Sequence, residues 1–161
     1  LIEKKFNIKN MKWQGEIEKF QNLIKFTESK NFNFSQLDYI YLSIGITEGG
    51  LCWYPHKERK LFHITCRISN QETYPKEHYW FIRPTFLNGQ LINKNYDTEI
   101  SNDMEENMSW LLGHELYHFL RKTKQVFGYN TQSQGNEFGF KFMREFKEYQ
   151  KSNNKPLFVT G

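Results

Sequence analysis

Alanine is absent from these 161 residues, and there are only two cysteines. The missing alanine, beside abundant Lys, Asn, Phe and Ile, reads as a coding bias and carries no functional signal. Two cysteines, Cys52 and Cys66, cannot build a disulfide framework and read as half-buried thiols on neighbouring strands. No run of apolar residues approaches the roughly 18 that a membrane-spanning helix needs. The N-terminal Leu1-Ile-Glu-Lys-Lys-Phe lacks the long apolar stretch of a secretory signal, which points to a cytoplasmic location. There is no internal repeat and no low-complexity block. A concentrated basic patch is missing too. The net charge is +4, but Lys, Arg and Glu are interspersed along the chain, which argues against a nucleic-acid partner. What is present in quantity is aromatic: 17% of the residues, including 15 Phe and 9 Tyr, more than a disordered chain carries. The length suits a single domain over 1–161, with mobile ends at about 1–10 and 151–161.

The periodicity predicts an α+β fold. Trp13, Ile17, Phe20 and Ile24 recur at helical spacing and predict a helix over Met11 to Lys30. Asn31 to Ser35 breaks that period. Tyr39 to Ile46, Leu51 to Tyr54, Leu61 to Ser69 and His78 to Phe86 read as strands of a small, mostly antiparallel sheet. Gly49-Gly50 and the polar tip His56 to Lys60 provide turns. Pro84 places the fourth strand at an edge. Asn88-Gly89 is a turn signal before a short return at Leu91-Ile92. Helical spacing then resumes. Asn102 or Asp103 caps a helix over about Met104 to Thr123, with Glu105 and Glu106 at capping-box positions. A connection containing Gly128 leads to a last helix from Thr131 to about Gln150, striped with Phe138, Phe142, Phe146 and Tyr149.

One segment carries chemistry: Leu111-Leu-Gly-His114-Glu115-Leu-Tyr-His118-Phe-Leu120. Residues four apart share a helical face, so His114 and His118 can offer ring nitrogens to one ion. Glu115, about 100° further round, can take a proton from a metal-activated water and return it to a leaving amine. Leu112, Leu116 and Phe119 line the opposite, core-facing side. Gly113 is a costly residue inside a helix, by about 1 kcal/mol against Ala, and signals close approach of another segment.

A catalytic zinc takes three protein ligands and keeps one position open. No histidine follows His118, and His56, His63 and His78 lie on upstream strands or tips. Glu137 falls in the first turns of the last helix, and a turn near Gly128 can bring it back antiparallel to face the histidines. Its simpler role is a favourable charge near a helix N-terminus.

The stretch from Leu111 to about Phe146 resembles the gluzincin branch of the zincin metallopeptidases, whose ligands are two His and a Glu that often follows an Asn, as in Asn136-Glu137. The resemblance implies Zn2+ held by His114, His118 and Glu137, with Glu115 as general base, acting on a peptide or protein substrate. It also implies a substrate-binding sheet edge, supplied by the third or fourth strand. Two features depart from the branch: Lys141 stands where thermolysin-like members have an Asp that orients a ligand His, and no motif for binding a substrate N-terminus is present. In size and layout the chain is similar to small intracellular metallopeptidases of phages and mobile elements, and less so to the SprT type, which uses three histidines. Tyr129 is a candidate donor to the oxyanion, or simply a loop aromatic. Two alternatives remain. One is a peptide deformylase-like hydrolase using an upstream Cys, to whose Cys-bearing segment Glu48-Gly-Gly-Leu-Cys52 is similar, although that family's glycine-rich motif is missing. The other is a non-catalytic binding domain with a zincin-like shape.

Overall fold

The structure is a computed structural model that describes residues 12–81, 86–91 and 96–153. The first element is a strand rather than a helix: β1, Trp13–Gly15, followed by a 3-10 turn at Ile17–Phe20 and helix α1 only at Gln21–Ser29. The helical spacing of Trp13 and Ile17 is real, but β1 has a partner far along the chain. It pairs in parallel with Ile40, Tyr41 and Leu42 of β2, Leu37–Gly45. Gly15 makes the close approach possible. It sits at φ +90°, where a Cβ would lie 2.1 Å from the Leu42 carbonyl oxygen.

β3, Gly49–Trp53, and β4, Phe62–Ser69, complete a four-stranded mixed sheet in the order β1-β2-β4-β3. β2 and β4 run parallel, and β3 runs antiparallel to β4. The third predicted strand, Leu61 to Ser69, therefore lies inside the sheet and cannot supply a free edge. β5, Lys76–Phe81, pairs antiparallel with β8, Tyr96–Ser101, in a separate sheet. The predicted continuation of β5 through Pro84 lies outside the described residues. β6, Phe86–Leu87, and β7, Gln90–Leu91, form a small hairpin at the Asn88-Gly89 turn; Ile92, expected to extend it, is also outside the described residues.

α2 spans Met104–Lys122 and α3 spans Gln132–Asn153. The N-cap half of the capping box forms, with Asp103 accepting from the Glu106 backbone N–H at 2.8 Å. The Glu106 carboxylate reaches one residue further back than the signature requires and accepts from the Asn102 N–H at 2.9 Å. Glu105 reaches across and accepts the Leu23 N–H in the first turn of α1 at 2.8 Å. α3 runs on through residues 151–153, beyond the expected end of the helix. The expected mobile ends otherwise fall outside the described residues.

The core lies between sheet and helices. Ile40, Leu42, Ile64, Cys66 and Ile68 from the sheet meet Leu23 and Ile24 of α1, Leu112, Leu116 and Phe119 of α2, and Phe142 and Phe146 of α3. Burial of this apolar surface is the main force holding α2 on the sheet. Across the α2–α3 crossing, a Cβ on Gly113 would lie 2.7 Å from Phe142 Cβ and 3.0 Å from Gly139 Cα. The close approach expected at Gly113 is made by α3. Both cysteines are free thiols, with Cys52 half-buried on β3 and Cys66 buried on β4. Burial pushes the Cys52 thiol up to about 12, with the Glu115 carboxylate adding to the effect. Among the described residues no helix is long and apolar enough to cross a membrane.

Candidate metal centre

α2 carries His114, Glu115 and His118 into the buried crevice between the sheet and α3. Their ligating atoms all lie within 4.8 Å of one another, the one such group of three or more found among the described residues. The Nε2 atoms of His114 and His118 are 3.2 Å apart, and His114 Nε2 is 4.0 Å from Glu115 Oε2. Two imidazoles bound at 2.0–2.1 Å in a tetrahedral zinc site would hold their nitrogens roughly 3.3 Å apart. The histidine pair therefore has the spacing that such an ion requires.

Each histidine is oriented by a side-chain amide. Asn130, in the α2–α3 connection, accepts from His118 Nδ1 through Oδ1 at 2.6 Å. An amide oxygen only accepts, so Nδ1 carries the proton and the His118 Nε2 lone pair is free. Asn130 Nδ2 in turn donates to the Tyr54 hydroxyl at 2.8 Å, which ties the end of β3 to the connection. His114 Nε2 donates to Gln132 Oε1 at 2.7 Å. His114 Nδ1 is buried and makes no hydrogen bond, although the Asn136 side chain interacts with the ring. Burial holds the His114 ring below its ordinary basicity, the Gln132 contact pulls it back up, and His118 lowers it.

Gly135 allows α3 to lie directly over the rings. A Cβ there would lie 3.0 Å from His114 Cε1, 3.1 Å from His114 Nδ1 and 3.2 Å from His118 Nε2. With Gly139 one turn later, Gly135 defines the inward face of α3. Glu137 lies about 200° from Gly135 on the same helix and is exposed. The structure does not bring Glu137 to the histidines, and its carboxylate is not in the cluster. Burial raises the Tyr117 hydroxyl above its ordinary range, the Arg121 charge offsets this in part, and Glu137 adds to it.

Glu115 sits on the other side of the pair, beneath β3. A Cβ on Gly50 would lie 3.0 Å from Glu115 Oε2. Burial pushes this carboxyl up to about 7, and the backbone N–H of Cys52, which donates to it, holds it down in part. A carboxyl in that range exchanges protons near neutral pH. The Cys52 thiol is not among the converging groups, so a cysteine-ligated centre of the deformylase kind is not assembled.

The remaining histidines are elsewhere. His63 stacks between Tyr39 and Trp53, His78 bonds Ser101 Oγ at 2.7 Å, and His56 stays exposed at the tip after β3. Tyr117 turns its hydroxyl to the Tyr129 carbonyl at 2.7 Å and to Gln134 at 3.0 Å, securing the connection rather than facing the cluster. Tyr129 is exposed, so it is not packed on the core. Sequence reasoning missed Asn130, Gln132 and Gly135. The 135/139 glycine spacing was the one available signal for which face of α3 turns inward.

Fold and site together define an α+β protein with a potential metal-binding His-Glu-His cluster on a buried helix. Comparison with family models, curated proteins and solved structures finds no match.

Proposed function

We propose that the chain is a zinc-dependent hydrolase of peptide bonds, with His114 and His118 as metal ligands and Glu115 as general base. The observation that carries this reading is the 3.2 Å separation of two imidazole nitrogens with a buried carboxylate 4.0 Å from one of them. When bound, zinc supplies a Lewis acid that polarises a carbonyl and brings the pKa of water to about 7. Glu115 Oε2 takes the proton from the attacking water and later delivers it to the departing amine nitrogen. Asn130 keeps the His118 proton on Nδ1, so that Nε2 stays available. The helices and sheet exclude bulk water from the base, which keeps its proton affinity high.

A peptide substrate is favoured by β3. That strand has β4 on one side and no strand on the other among the described residues, and it passes directly over Glu115. An extended backbone laid along its open side would pair with main-chain groups within reach of the base. The proposed substrate edge is therefore β3, in place of the third or fourth strand expected from the sequence.

The test is incubation of the zinc-loaded protein with a proteome-derived peptide library, with new termini read by mass spectrometry. Wild type should generate them, and Glu115→Gln should lower their rate by about 10²-fold or more. Cleavage that persists undiminished in Glu115→Gln, or is absent from wild type, removes the proposal.

A further inference from the structure

We infer that the third protein group at the metal is the neutral amide oxygen of Gln132, an inference that rests on the zinc reading above. The geometry of protons at the centre leads there. Asn130 Oδ1 occupies His118 Nδ1, so His118 Nε2 presents a lone pair. Gln132 Oε1 lies 2.7 Å from His114 Nε2 and can only accept, so His114 Nε2 holds a proton. Two electron-pair donors flank His114 Nε2: Gln132 Oε1 at 2.7 Å and His118 Nε2 at 3.2 Å. A single proton satisfies this arrangement. Moving it to His114 Nδ1, which is buried without a hydrogen bond and has the Asn136 side chain acting on its ring, exposes all three lone pairs to a cation.

Position decides between Gln132 and Glu137. Gln132 is the first residue of α3, three before the Gly135 that faces the rings, so both lie on one side of the helix. Glu137 is on the opposite side and exposed. The consequence is chemical. Two imidazoles and an amide leave the full charge of a divalent ion uncompensated, so the centre binds zinc more weakly than one with a carboxylate and polarises a bound carbonyl more strongly. A carboxylate at 132 would restore the missing negative charge.

Isothermal titration of the metal-free protein with Zn2+, supported by Co2+ absorption spectra of the same samples, tests this. Gln132→Glu should tighten Zn2+ binding about tenfold or more through the added charge, and should change the Co2+ ligand-field bands at unchanged stoichiometry. Gln132→Ala should weaken binding about tenfold. Glu137→Ala should bind as wild type does. Gln132 is exposed at the start of its helix, so both variants keep the fold, which thermal melts of the metal-free proteins verify. If wild type binds and His118→Ala does not, while both Gln132 variants bind like wild type, the Gln132 assignment is overturned and the zinc reading stands. If wild type and His118→Ala behave alike, both fall.

Discussion

Replacing Gly139 by Ala perturbs the crossing that brings α3 over the histidines. In an ordinary helix interior the change stabilises by up to about 1 kcal/mol, because Gly is the poorer helix former. Here the new Cβ would stand 2.6 Å from the Trp110 carbonyl oxygen, 3.0 Å from the His114 backbone nitrogen and 3.1 Å from Trp110 Cε3. Two of those three neighbours are backbone, which cannot rotate away. Relieving the shortest contact to an ordinary 3.4 Å requires about 0.8 Å of separation between α2 and α3. Overpacking of this kind typically costs 1–3 kcal/mol. With the rigid partner near the upper end, and the propensity gain subtracted, the net loss is about 1–2 kcal/mol, or a fall in Tm of about 2–8 °C. Urea and thermal unfolding of the metal-free protein measure it. The same displacement carries Gly135 and Gln132 away from the rings, so zinc affinity should fall with stability. A Gly139→Ala protein with a raised Tm would refute the crossing and the placement of α3 that depends on it.

Two further outcomes follow from polar contacts. Asn130→Ala removes the acceptor that holds the His118 proton on Nδ1, and zinc affinity measured by calorimetry should fall about 10–100-fold; an unchanged affinity would mean that Asn130 does not orient the ring. His78 is held down to about 4, first by burial and then by the Lys76 charge. The fold therefore favours its neutral form. The associated stability is complete above about pH 6.5 and is lost as pH falls toward 4, by at most about 3 kcal/mol. The difference between wild type and His78→Gln in urea unfolding at pH 7.5 and pH 4.5 isolates this contribution, and equal pH dependence in the two proteins would contradict it.

Chain-local features were legible in the sequence, whereas those set by distant partners were not. Histidines four apart must share a helical face, Asp103 caps the helix by accepting from Glu106 within one turn, and Gly113 announces a close neighbour. Each of these is decided by residues a few positions apart. Trp13 to Gly15 reads as helix for the same reason: the local period favours it, and only the Leu42 carbonyl and its neighbours, out of reach of any short window, make it a strand. Glu137 shows the limit at the site. Counting residues from His118 places it on the right helix and the right turn, but rotation about that helix is set by Gly135 and Gly139 packing against α2. Asn130 and Gln132 were silent because amides carry no motif; their roles arise from where the connection ends and α3 begins.

Native mass spectrometry of the zinc-loaded protein reads out whether His114 and His118 hold a metal ion. Wild type should carry one zinc per chain, Glu115→Gln should carry the same, and His118→Ala should carry none. A wild-type protein that retains no zinc after loading, or a His118→Ala protein that retains as much, would contradict a metal ion held by these two histidines.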